Sequence, residues 1–235
     1  MANPACDIEV SDSIIRNYIL PHWSKVKYIV ISLDIDILYH IDDLWKVFYS
    51  TIPGYAYDAE HNYWPLLSSQ TMYQASIMAG KVDSSARVSV YEYRGLYSKT
   101  NINGTWGGSM PEILDDTTRA DGNGMDTLYL NKIKAIVELA KEHNVKVIGV
   151  IFPMSPGYKN TGSFGRHGLR RSLAEKIIQK IKTYEGVYSN FRLMDENKMG
   201  NHDYSDDKAS DFDHLNLNGA AQLTHRLDSL LNALK

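Results

Sequence analysis

Two short runs, Tyr28–Leu33 and Val145–Phe152, carry apolar residues at successive rather than alternate positions. A strand with one face in water alternates, whereas a strand that is apolar throughout is buried on both faces, as in a parallel sheet covered by helices. Around these runs the period changes to that of helices. Ser11–Trp23 places Ile14, Ile15, Tyr18 and Ile19 at helical spacing and stops around Pro21, whose ring and missing N–H disfavour continuation. Met125–Asn144 sets Leu128, Ile133, Ile136, Val137 and Ala140 on one stripe. A helix is expected around Leu169–Tyr184, then a short strand, Phe191–Met194, ending at Asp195. The last helix runs from about Leu217 to Leu234 and carries Leu223, Leu227, Leu230, Leu231 and Leu234. Buried strands alternating with helices predict an α/β fold with a mostly parallel sheet. In such sheets ligands sit beyond the C-terminal strand ends, the edge to which Asp34, Pro153, Asp195 and His214 belong.

Residues 41–124 are less regular. "RVSVYEYRG" alternates as a strand of a hairpin or insertion would, and "NINGTWGGSMPEILDDTTRADGNG" reads as glycine-rich loop. The expectation is one domain over 1–235 with an insertion-like region around 54–124.

Charge and cysteine content narrow the partners. Lys and Arg number 25 against 28 Asp and Glu, a net charge of −3, and no basic run gives a case for nucleic acid or an anionic membrane surface. Cys6 is the single cysteine, so neither an internal disulfide nor a cysteine metal cluster can form. The segment "MANPACDIEV" has neither the basic segment nor the apolar core of a signal peptide, and no stretch has the length of a membrane span. A small molecule or a neutral polymer is the partner class that remains, and no cofactor is implied.

The chemistry concentrates in "DFDHLNLNGAAQLTHRLDSLL". A carboxylate three residues before a histidine, in a turn that enters a helix, can accept from the imidazole Nδ1–H and leave Nε2 as a base toward a hydroxyl. Asp211 and His214 are the candidate orienter and base, and Asn216 is the candidate N-cap that fixes the turn. On spacing alone the simpler reading is a helix entry whose histidine is a surface residue or a packed hydrogen bonder, because Asp-x-x-His is a pattern of low information.

Over about its last 45 residues the chain resembles the SGNH (GDSL-type) hydrolases, in which a strand and polar loop lead to Asp-x-x-His, then Asn-x-x-Gly and a closing amphipathic helix. Here those positions are Asp211, His214, Asn216 and Gly219. The resemblance implies a three-layer α/β/α sandwich of flavodoxin-like type. Its implied activity is that of a serine esterase on acyl groups, with a small-molecule or polysaccharide ester as substrate. The family's Gly-Asp-Ser tripeptide does not occur, and where its third block has Gly-x-Asn-Asp this chain has Ser32, Asp34 and Asp36. An ionised Asp34 would repel an oxyanion, so the asparagine's role does not carry over. Asp34 stays a candidate substrate contact.

Two expectations follow. In one, the chain is the C-terminal part of a longer exported protein, with the nucleophile strand upstream and the sandwich incomplete at its N-terminal end. "SLDIDIL", "GYAYDAEHNYW" and "DFDHLNLNGA" are similar to the C-terminal region of bacterial surface proteins with a sulfatase-modifying-factor-like domain. That likeness implies an extracellular or cell-surface location. An absent central strand would then expose an edge, covered by "RVSVYEYRG", by a homodimer mate or by local rearrangement. In the other, the serine is lost and the domain binds carbohydrate, or serves as structure, without catalysis.

Other groups carry weaker signals. "TGSFG" nearly matches the Gly-x-Ser-x-Gly elbow, but Ser163 lies some ten residues past its strand, and a flexible loop is the simpler reading. Ser32 is expected to be a buried, hydrogen-bonded hydroxyl. Acidic residues at Asp34, Asp36, Asp203, Asp206, Asp207 and Asp213 lack a calcium-loop spacing, and no metal site is assigned. Sixteen tyrosines beside five phenylalanines mostly suit half-buried sheet and loop positions. Tyr55, Tyr57, His61 and Trp64 in "GYAYDAEHNYW" form the candidate binding surface, or an aromatic loop packed over the sheet edge.

Overall fold

The computed structural model describes residues 8–37, 54–55, 104–107 and 125–235. The chain divides into two compact units, Met1–Ser24 with Ile41–Lys99, and Lys25–His40 with Thr100–Lys235.

In the first unit, helix α1 (Ile8–Ile14) widens into a π-helical stretch, Ile15–Ile19, and closes with one short turn, α2 (Leu20–His22). The widening has a local cause. Pro21 cannot donate to the carbonyl four residues back and its ring crowds that carbonyl, so the ladder shifts register just before it, with Leu20 N–H reaching Ile15 O. Tyr55 packs with Ile19 against buried Val10 and Ile14.

The second unit is built on a three-stranded parallel sheet in the order β1 (Tyr28–Ser32), β2 (Lys146–Ile151), β3 (Phe191–Asp195). Tyr28 pairs with Lys146 at one end of the first ladder, and Val147 with Phe191 in the second. Helix α3 (Met125–Glu142) precedes β2, α4 (Arg171–Val187) joins β2 to β3, and α5 (Leu217–Ala233) closes the chain. Asn144 ends α3 in the left-handed region at φ 58°, where asparagine is among the better-tolerated residues, and Val145 N–H closes onto Ala140 O.

Of the apolar stripe expected on α3, Ile133, Ile136, Val137 and Ala140 are fully buried, whereas Leu128, in the first turns of the helix, is exposed. This helix packs on β2 and on α4, and α4 packs on β3, where Tyr184 meets Phe191 edge-on. From α5, Leu223, Leu227, Leu230 and Leu231, with the following Leu234, pack on Ile148, Val150 and Met194. The α/β class with a parallel sheet is therefore present, and β2 is buried along its length after Lys146.

β1 departs from the doubly buried expectation. Ile29 and Ile31 are buried, but Val30 is 46% exposed and Ser32 is exposed rather than buried. Val30 and Ser32 pair with Ile148 and Val150, on the face that α5 covers over β2 and β3. Tyr28 reaches that helix-covered cluster, and the next two outward-facing residues of β1 do not.

Candidate functional site

The C-terminal ends of the strands and the loop before α5 assemble one polar region in the second unit. After β1 the chain passes Leu33 and Asp34 into a single turn, Ile35–Ile37. That turn separates the two acids: Asp36 is 3% exposed, whereas Asp34 reaches solvent although protein surrounds it closely.

His214 and Asp211 meet as the spacing predicts. Nδ1 of His214 lies 2.8 Å from Asp211 Oδ1 and 3.0 Å from Oδ2. The same Oδ1 accepts from the backbone N–H of Asp213 at 2.8 Å and of His214 at 3.0 Å, so the carboxylate is fixed by its own turn. Burial pushes the Asp211 carboxyl up. The Asp213 N–H and the His214 ring outweigh that and hold it below the ordinary carboxylate range.

The turn is anchored on three sides. Ser210 N–H donates to His214 O, and a bridge pairs Ala209 with Leu215. Ser155 N–H, beyond the end of β2, donates to Phe212 O. Asn216 is fully buried and caps α5, with its side-chain oxygen accepting from Asn218 N–H and Gly219 N–H. The His214 side chain itself is 63% exposed. Nε2 has no hydroxyl partner among the described residues, and the imidazole is held at one nitrogen and open at the other.

Beside it stands a group whose importance the sequence did not signal. Asp213 accepts from the buried Tyr158 hydroxyl at 3.3 Å and forms an ion pair with Arg166, Nε to Oδ2 at 3.0 Å. Burial raises the Asp213 carboxyl, while the charges of Arg166 and His214 pull the other way. Arg166 comes from the loop between β2 and α4, and the buried Asp36 holds that loop. His167 N–H donates to Asp36 Oδ2 at 2.8 Å, and Gly165 lies so close that a Cβ there would stand 2.5 Å from that oxygen. Only glycine permits this approach.

Burial pushes the Asp36 carboxyl up to about 7 against the pull of the His167 and Leu169 backbone N–H groups, and its Oδ1 makes no hydrogen bond of normal geometry among the described residues. Crowding by protein, with the charge of Asp213 second, raises Asp34 to about 6, while Arg166 and His214 act in the opposite sense. The Tyr129 hydroxyl, buried and without a hydrogen-bond partner among the described residues, also feels the Asp34 charge. Five of the six charged or titratable side chains brought together here were named in the sequence, Asp34, Asp36, Asp211, Asp213 and His214; the sixth, Arg166, was not. The available clue was an arginine between glycines in a loop that follows a parallel strand.

Ser163 is 1% exposed, and its hydroxyl donates to Gly165 O within the loop, so it is a structural hydroxyl. Tyr55 lies in the first unit, packed on Val10 and Ile14. Tyr57, His61 and Trp64 lie outside the described residues, as does "RVSVYEYRG". Tyr129, Tyr158, Tyr184 and Tyr204 are buried, the structural role expected of most tyrosines.

Among the described residues no group of three or more His, Cys, Asp and Glu side chains could hold a metal ion, and no helix is long and apolar enough to cross a membrane. No protein-family model, curated protein or solved structure matches the chain.

Proposed function

We propose that this chain is an SGNH-like serine acyl-hydrolase domain with His214 as its base, its sheet belonging to a three-layer α/β/α sandwich. The observation that carries the reading is the Asp211–His214 pair. Its carboxylate is bound through Nδ1 and two backbone N–H groups, and its Nε2 is open at the C-terminal edge of a parallel sheet. In that role Nε2 takes the proton of an attacking hydroxyl as its oxygen bonds to the ester carbonyl carbon and the π pair moves onto the carbonyl oxygen. Collapse of that intermediate breaks the bond to the alcohol, which leaves with the proton from His214. Acylated small molecules or polysaccharides are the substrate class the resemblance favours.

The open Nε2, without a hydroxyl partner among the described residues, favours a second reading, a binding or structural domain that has lost the nucleophile. One experiment separates them. The purified chain is incubated with a fluorophosphonate serine label, and the adduct is located by peptide mass spectrometry. The hydrolase reading expects one labelled serine, with labelling reduced at least a hundredfold in His214→Ala, in line with the loss of a general base. Labelling that is absent, or indifferent to His214, supports the non-catalytic reading.

A further inference from the structure

Arg166 is fixed at its base and unengaged at its tip. Asp36 clamps the residues on both sides of it, through the His167 N–H and through the close approach of Gly165. Its Nε–H donates to His167 Nε2 at 3.1 Å, and Asp213 Oδ2 stands 3.0 Å from the same nitrogen, ion-paired but off the N–H axis. The two terminal NH₂ groups have no partner among the described residues, and the side chain is 44% exposed. Asp213 immediately precedes His214 in the chain, and Asp34 lies in the field of both Arg166 and His214. A guanidinium held at Nε beside Asp213 thus presents four N–H donors in the polar region that holds the exposed histidine.

We propose that Arg166 binds the acyl-group oxygen of the ligand beside His214: the carbonyl oxygen of an ester, and the carboxylate of the acid it yields. The inference rests on the acyl-hydrolase reading above and supplies a donor that this reading lacks, because Asp34 occupies the position of the family's asparagine. A planar fork suits a carboxylate, which it can grip through two parallel hydrogen bonds, and it suits charge that develops on a carbonyl oxygen. The guanidinium carries only N–H donors, so its part is to give hydrogen bonds to the acyl oxygen. The carboxylate of Asp34 opposes the anion, and replacing it by an amide removes that opposition while leaving Arg166 in place.

The test is a titration of the full chain with sodium acetate against matched sodium chloride, followed by ¹H–¹⁵N NMR, including the Arg166 Nε–H. Saturable shifts are expected at Arg166 Nε–H and at the amides of Asp213 and His214. Arg166→Gln should weaken acetate binding at least tenfold, Arg166→Lys should restore little of it, and Asp34→Asn should strengthen it several-fold. The His167 amide, bonded to Asp36, reports whether the loop of each variant is still clamped. Acetate binding that is equal in the wild-type protein and in a clamped Arg166→Gln, or no saturable shift at Arg166, overturns the proposal. Fluorophosphonate labelling separates this failure from failure of the hydrolase reading. His214-dependent labelling with no acetate at Arg166 sinks the inference alone, and acetate at Arg166 with no label sinks the hydrolase reading alone.

Discussion

Replacing Asp36 by asparagine is expected to stabilise the sheet unit, and to do so increasingly as pH rises from 4 to 8. Asp36 is 3% exposed, and burial pushes its carboxyl up to about 7 from an ordinary value near 3.8. Below the lower value both the folded and unfolded chains carry a neutral acid. Between the two values the unfolded chain gives up its proton and the folded chain keeps it, so stability falls as pH rises, and above about 7 the loss is complete. At about 1.4 kcal/mol per pH unit the full effect is on the order of 4 kcal/mol.

Asparagine does not titrate, and its oxygen can still accept the His167 N–H. Its NH₂ would stand where Oδ1 makes no hydrogen bond among the described residues, and an unmet buried donor takes back about 1–3 kcal/mol. The net gain is therefore smaller than the full effect, and the pH profile is the sharper readout. Hydrogen exchange at β2 amides such as Val150, measured in both proteins at pH 5 and pH 8, should show stability dropping more steeply in the wild type. A residual slope in the variant is expected from Asp34, which is also raised but reaches solvent. Parallel profiles would mean that the Asp36 carboxylate is stabilised where it lies.

Why Asp36 escaped assignment as the keystone of a loop shows where sequence reading stops. Features set by neighbours in the chain were legible. Asn144 at the end of α3, Asn216 at the start of α5 and the Asp211–His214 contact each depend on backbone groups within a few residues. The apolar run of β2 was legible as well, because burial on both faces leaves no polar position to alternate with.

β1 has the same kind of apolar run but a different fate. What decides the exposure of Val30 is how far α5 extends across the sheet, and that is set by where its leucines dock on Ile148, Val150 and Met194. The Pro21 boundary was read correctly in position, but not the π-helical stretch by which the chain reaches it. Arg166 and Asp36 are harder still. His167 and Asp36 are 131 residues apart, and a buried carboxylate that accepts a backbone N–H leaves no mark on the sequence near either of them. Such tertiary contacts are invisible to periodicity and visible only as an unexplained acid and an unexplained glycine.

Asn216→Ala should have the opposite effect to Asp36→Asn and be comparably large, a loss of roughly 2–4 kcal/mol. Asn216 is fully buried and joins three segments. Its Nδ2 donates to Asp207 O at 2.7 Å and Ala209 O at 3.0 Å, its Oδ1 accepts from Asn218 N–H at 2.9 Å and Gly219 N–H at 3.1 Å, and its own N–H reaches Lys208 O at 2.9 Å. The approach it secures is tight, since a Cβ on Gly219 would stand 2.2 Å from Lys208 O.

Alanine removes the cap, worth about 1 kcal/mol, and strands the buried Ala209 carbonyl at about 1–3 kcal/mol, while the Asp207 carbonyl belongs to an exposed residue that water can reach. Serine separates the two roles, because its hydroxyl can cap α5 but cannot bridge both carbonyls. Asn216→Ser should therefore recover about 1 kcal/mol of the loss and no more. The turn from Ala209 to Leu215 loses its tether in both variants, so the Asp211–His214 contact should loosen with stability, seen as faster exchange of the Asp213 and His214 amides that bond to Asp211. If urea unfolding places Asn216→Ala within 1 kcal/mol of the wild type, the helix and its own turn hold the histidine without help from this side chain, and the site is more locally determined than its hydrogen bonds suggest.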